Sequence, residues 1–210
     1  TAIQARACYM YALTREGVKP PMAAVRQTVY SLLEPARRDP HAVNLLGFFS
    51  PLAEECELFG MFKKAGLTQI REIGGCKTFP EYKRMAEANF NLVLNSEARF
   101  AAEDLGKRLG TPYIEISRFY QTDKIARQYE LLGKSLGVKL DDAAARSDAE
   151  AAAEDFKRRF AKLEFSVGET LNADPFELSL ALVRRGFAVK EIFGTVSPDE
   201  FSYLRQLAEL

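Results

Sequence analysis

The stretch NFNLVLNSEARFAAEDLGKRLGTPYIE, residues 89–115, carries the strongest constraint on the fold. A short apolar run leads to a polar corner, an amphipathic helix, a glycine and a second apolar run. Strands joined through a helix in this way lie parallel, and a parallel sheet needs helices on both faces to bury it. The same grammar holds from Val43 onward. Residues 43–47 read as a buried strand. Ser50 is placed as the N-cap of a helix, with Pro51 at its first position, Glu54 and Glu55 in its first turn, Lys63 and Lys64 in its last and Gly66 beyond its end. Each choice suits helix polarity and terminal hydrogen bonding. Residues 69–73 follow as a strand, and Thr78 with Glu81 forms a capping box for a helix to about Glu87. Residues 91–94 and 112–116 complete the set of strands, with helices over 97–109 and 122–136. The predicted class is α/β: a Rossmann-like (flavodoxin-like) parallel four-stranded sheet with helices on both faces.

A second unit echoes the first at an offset of about 120 residues. Gly66 corresponds to Gly186, Arg71-Glu72-Ile73 to Lys190-Glu191-Ile192, and the Thr78/Glu81 box to Ser197/Glu200. The echo contains only a βαβα segment, and two strands make a poor sheet. The expected organisation is therefore a Rossmann-like domain over 1–140, with two N-terminal helices in residues 1–35. A connecting Ala-rich charged helix follows over 141–161, then an incomplete second domain over 162–210. The chain begins with Thr rather than Met, and the expectation is a piece of a longer protein.

Composition narrows the function classes. Lys+Arg and Asp+Glu are 29 each, so the net charge is zero, which argues against nucleic acid or an anionic membrane as partner. No apolar run approaches the roughly 20 residues that span a bilayer. No secretory signal pattern opens the sequence. Three widely spaced cysteines (Cys8, Cys56, Cys76) and the single His41 nearly exclude a disulfide framework or a self-contained zinc site. A reducing cytoplasm is the expected location.

Open parallel sheets bind ligands at the carboxyl ends of their strands. The candidate corners are Gly47-Phe48-Phe49-Ser50, Gly74-Gly75-Cys76-Lys77-Thr78, Asn95-Ser96-Glu97, Ser117-Arg118-Phe119-Tyr120 and Gly168-Glu169-Thr170-Leu171-Asn172. None is a GxGxxG or GxxxxGK[ST] phosphate loop. Cys76 follows two glycines and precedes a helix start, a position that can lower a thiol pKa; it also suits a tight loop as a small residue. Cys56 and Cys8 read as packing residues inside helices, and His41 as a boundary residue at the amino end of its strand. Asn95 can end a strand by satisfying local backbone groups. Ser96 has no GxSxG frame. Glu97 is the best-placed acid but equally suits a first helical turn. Arg118 and Tyr120 can grip an anion or stack on a ring, or form a solvated loop. Phe48-Phe49 is more apolar than a corner needs and can line a pocket or, as the better reading, bury against a neighbouring domain.

Taken together, VNLLG, FKKAGL, IREIGG, AEANFNLVLN and LGKRLGTPYIEIS-RFYQTDKIARQY resemble, in this order, the nitrogenase component 1 family. That family includes nitrogenase α and β subunits, cofactor-assembly scaffold subunits and dark-operative protochlorophyllide reductase subunits. The glycine of the family's helix start after the fourth strand is absent at Phe119-Tyr120-Gln121-Thr122. The resemblance implies the middle domain and the start of the third of a three-domain subunit. It implies an oxidoreductase receiving electrons from an ATP-dependent iron–sulfur reductase, and a homologous component 1-type partner subunit. An iron–sulfur cluster is then expected in the full-length assembly and no cofactor in this piece. The residues facing substrate or cluster would be Cys76, Asn95, Ser96, Glu97 and Tyr120. In the nitrogenase α subunit the strand matching NLVLN ends in a cysteine that ligates the active-site cluster; here Asn95 stands in its place. The alternative within the family is a non-catalytic assembly scaffold or degenerate partner subunit. An α/β binding protein or glycosyltransferase sharing the layout would show a nucleotide-sugar or solute signature, which the sequence lacks.

Overall fold

The structure is a computed structural model of the 210-residue chain, and it describes residues 5–9, 20–168, 174–196, 198 and 200–210. The chain divides into two compact units, Thr1–Ser117 and Arg118–Leu210. This division follows compactness, whereas the expected boundary after residue 140 follows the sequence repeat.

The first unit is an α/β unit. Helix α1 (Pro21–Val29) precedes strand β1 (Asp39–Leu46), helix α2 (Glu57–Lys64), strand β2 (Gln69–Glu72), helix α3 (Phe79–Lys83), strand β3 (Ala88–Val93), helix α4 (Arg99–Leu109) and strand β4 (Tyr113–Glu115). The four strands form one parallel sheet in the order β2-β1-β3-β4. Strand alternation sorts the core onto two faces. Leu46 and Val93 face a cluster with Tyr30, Leu33, Tyr82, Met85, Ala98, Ala101, Ala102 and Leu105, which brings α1, α3 and α4 to one side. Phe90 meets Phe62 of α2 edge-on across 6.5 Å on the other. The two asparagines of the strand signature are register partners in β1 and β3 and are fully covered. Asn44 Nδ2 donates to Asn91 Oδ1 and to Met85 O, each at 2.8 Å. The Thr78 cap forms, its hydroxyl accepting from Glu81 N at 3.3 Å. Glu81 reaches back to Lys77 N at 2.7 Å rather than to Thr78 itself.

Three expectations need correction. The helix expected from Ser50 begins seven residues later, at Glu57. The intervening loop is held elsewhere: Leu52 N donates to the Glu72 carboxylate at 3.0 Å, so Ser50 caps nothing and Cys56 is the N-cap position of α2 rather than an interior residue. Cys8 is exposed and outside any helix: residues 5–9 are all exposed and carry no regular secondary structure. Most of the first of the two expected N-terminal helices lies outside the described residues.

The second unit holds helices α5 (Thr122–Leu136) and α6 (Ala143–Phe160), strand β5 (Glu164–Gly168), helix α7 (Pro175–Arg184), strand β6 (Ala188–Phe193) and helix α8 (Phe201–Ala208). None of the residues of α6 is buried, as a helix rich in Ala and charge requires. β5 and β6 pair in parallel, and β5-α7-β6-α8 is the expected βαβα segment. The sequence echo is a structural echo. Leu67 N donates to Phe62 O at 2.8 Å and Phe187 N to Leu182 O at 3.1 Å, each across a positive-φ glycine, Gly66 or Gly186. Both helices therefore stop through the same left-handed turn. Of the second capping box, Ser197 lies outside the described residues.

Candidate functional site

In a 2-1-3-4 parallel sheet the connections after β1 and β3 leave in opposite directions, and the gap between them is the topological switch point. Here that gap is bounded by Gly47 and by Asn95-Ser96-Glu97. The ladder closes to its last rung, with Leu94 N donating to Leu46 O at 2.8 Å. Gly47 has φ +143°, and a Cβ there would lie 2.9 Å from both Cβ and N of Asn95. The corner after β2 closes on the corner after β1 in the same manner: a Cβ on Gly74 would lie 2.4 Å from Phe49 O and 2.8 Å from Pro51 N. Three of the candidate corners thus converge, and glycines set the spacing.

At the switch point itself stands a residue the sequence reading missed. Arg26 of α1 is buried. Its Nε donates to Gly47 O at 2.9 Å, its Nη1 meets Glu97 Oε2 at 2.6 Å, and its guanidinium lies over the Phe49 ring, 5.2 Å from the centroid. The cue in the sequence is a basic residue on the stripe Ala23, Arg26, Tyr30, whose other members are core. Asn95 is committed to the backbone: its Oδ1 accepts from Glu97 N at 3.0 Å, and this ends the strand and starts the turn over 96–98. Glu97 is ion-paired with Arg26. Ser96 is exposed on the same turn.

Cys76 lies one corner away, beside Glu72. Its Sγ donates to Glu72 O at 3.4 Å. Burial, with the Glu81 carboxylate, pushes its thiol above the ordinary range, against a smaller pull from Arg71. Burial likewise raises Glu72, which Leu52 N–H partly offsets, and Tyr30 well above a free phenol. Gln69, Arg71, Glu72, Cys76, Glu81 and Arg84 line a shallow pocket of about 220 Å³. A thiol shifted in this direction carries less thiolate at neutral pH than a free cysteine does. Alkylation of Cys76 by iodoacetamide is expected to be slower at pH 7.5 than for exposed Cys8, with a pH–rate midpoint above that of a free cysteine. Mass spectrometry of the labelled peptides checks this, and a Cys76 midpoint at or below the ordinary value would refute it.

Tyr120 belongs to the second unit and is exposed. Its backbone N–H is held at 2.9 Å by Glu177, a fully buried carboxylate on α7 that also accepts from Gln121 N at 3.1 Å and Gln121 Nε2 at 3.0 Å. Gln121 Oε1 in turn accepts from Arg184. A larger groove in this unit, about 670 Å³, is lined by Arg127, Lys134, Lys139 and Arg146 together with Asp123, Glu130 and Asp142. Lys134 pairs with Glu130, Arg146 with Glu150, and the mixed charge marks a solvated face. Of the Gly168–Asn172 corner, only Gly168 is described.

The sequence model of the Nitrogenase component 1 type Oxidoreductase family matches residues 11–198. The chain belongs to that family. Its fold matches solved structures of nitrogenase Cp1 at pH 6.5 and at pH 5, with TM-scores of 0.57 and 0.54 and 16% identity in each case. The matches cover 91% and 90% of this chain but 48% and 43% of those chains, so the chain spans about half their length. No curated protein matches. Component 1 proteins are known for metal clusters, yet among the described residues no group of three or more His, Cys, Asp or Glu is placed to hold a metal. The described residues at this corner do not fit an iron–sulfur cluster, which takes about four thiolates: Asn95 is an amide already bonded to the backbone, and Cys76 is a single thiol with no second cysteine grouped beside it. Among the described residues no helix is long and apolar enough to cross a membrane.

Proposed function

We propose that this chain forms part of a component 1-type oxidoreductase subunit that works in the cytoplasm beside a homologous subunit. An ATP-dependent iron–sulfur reductase supplies its electrons, and a small molecule or a tetrapyrrole receives them. The metal cluster such an assembly uses takes its ligands mostly from outside this piece of the chain. The single observation that supports this reading is the convergence of the β1, β2 and β3 corners at the switch point in a chain of this family. Asn95, Ser96 and Glu97 then form a wall facing substrate, with Cys76 on the adjoining corner, and Tyr120 is a substrate-facing residue of its own unit. In this reading the sequence modules run over 1–140, 141–161 and 162–210.

A second reading has an observation of its own. Asn95 caps a turn at the position where the resemblance places a cluster cysteine in the nitrogenase α subunit. That favours an assembly scaffold or a degenerate partner subunit. The product of the natural gene, co-expressed with its neighbouring genes and purified without oxygen, separates the two through its iron and acid-labile sulfide. The redox reading expects about four or more irons per subunit pair, as a [4Fe–4S] centre would give, reducible by a nitrogenase-type iron protein with ATP. A folded, metal-free product would overturn it in favour of the scaffold.

A further inference from the structure

The buried guanidinium at the switch point has one exchangeable partner. The Arg26 side chain is 10% exposed, whereas that of Glu97 is 38% exposed, so the carboxylate meets the guanidinium from the solvent side. Arg26 Nε is committed to Gly47 O, and the contact of Nη1 with Met22 O is long at 3.4 Å. Among the described residues no hydrogen bond engages Nη2. A covered guanidinium is a planar fork matched to carboxylate and phosphate, and leaving it without an anion is costly. The buried charge therefore demands an anion here. It does not demand Glu97 in particular, because Glu97 is carried on the short turn over 96–98 rather than on a regular strand or α-helix.

We propose that Arg26 is the anion-reading subsite of this corner. It takes an oxyanion of the substrate, carboxylate or phosphate, and Glu97 is the internal carboxylate that occupies the subsite until it is displaced. The word substrate rests on the substrate-wall reading above; the binding itself needs neither reductase nor cluster.

A ligand that must displace an internal carboxylate binds weakly, so removing the competitor exposes the subsite. Glu97→Gln keeps the size of the side chain and leaves the buried charge unmatched. At constant ionic strength, replacing chloride by acetate or phosphate is expected to raise the thermal midpoint of Glu97→Gln by about 5 °C and that of the wild type by about 1 °C or less. The double variant Arg26→Gln/Glu97→Gln is expected to show no difference between anions. A Glu97→Gln shift no larger than that of the wild type would overturn the proposal, as would an equal shift in the double variant. Comparing the acetate and phosphate arms tells a carboxylate from a phosphate source. Should Glu97→Gln fail to fold, the wild type is titrated with both anions and the Glu97 and Ala98 amide resonances are followed. Saturable shifts support displacement, and their absence overturns it. A metal-free natural product would remove the redox reading and leave this titration unchanged; an iron-loaded protein that ignores both anions would do the reverse.

Discussion

Replacing Glu177 by Ala is expected to destabilise the second unit by about 3–5 kcal/mol. The carboxylate is fully buried and accepts from Tyr120 N, Gln121 N and Gln121 Nε2. Truncation leaves these donors facing a cavity instead of an oxygen, and each stranded donor costs about 1–3 kcal/mol. The loss spreads further, because Gln121 also accepts from Arg184 and Arg184 Nη2 donates to Gln206 Oε1 of α8 at 2.7 Å. The thermal midpoint should fall on the order of 20 °C for a unit of this size. Hydrogen exchange at the Tyr120 and Gln121 amides should quicken about a hundredfold or more. Glu177→Gln retains one acceptor oxygen and the side-chain volume, and is expected to cost about 1–2 kcal/mol. If Ala and Gln behave alike, the carboxylate is not what holds the Tyr120 corner.

Gly47→Ala is expected to cost about 2–5 kcal/mol, the sum of strain at a backbone angle that side chains rarely adopt and overlap with Asn95. Its effect should be concentrated at the switch point. The Leu94 amide, bonded to Leu46 O, should lose protection, and the Arg26 bond to Gly47 O should loosen with it. Gly60 supplies the internal control. It lies within α2, and a Cβ there would meet nothing within 4 Å. Gly60→Ala is therefore expected to stabilise by about 0.5–1 kcal/mol. Chemical denaturation of both variants checks the opposite signs, and a neutral Gly47→Ala would show that the corners tolerate separation.

Much of the fold was legible because it depends on local chemistry. Apolar runs of strand length, the left-handed stops at Gly66 and Gly186 and the Thr78 cap act within a few residues of themselves, and each stands where the sequence placed it. Ser50 misled because its apparent cap chemistry was outcompeted from a distance. Leu52 bonds Glu72, and Gly74 allows the 49–51 backbone to lie against the β2 corner. No window of sequence contains that competition.

The candidate site divides along the same line. Asn95, Ser96 and Glu97 could be read as a corner because a strand-to-helix turn is written in consecutive residues, and Asn95 caps that turn through a bond two residues long. What Glu97 does depends on Arg26, 71 residues earlier. What holds Tyr120 depends on Glu177, 57 residues later. Both partners interrupt apolar helical stripes, so the sequence could mark them as charges due to be buried but could not say beside what. Pattern alone settled that this chain builds strands and helices in alternation; its ordered motifs carried the resemblance to component 1 proteins, which the family match over residues 11–198 bears out. Tertiary structure alone decided what each buried charge meets: desolvation makes a guanidinium or a carboxylate seek a partner, and only the folded chain brings one within about 3 Å.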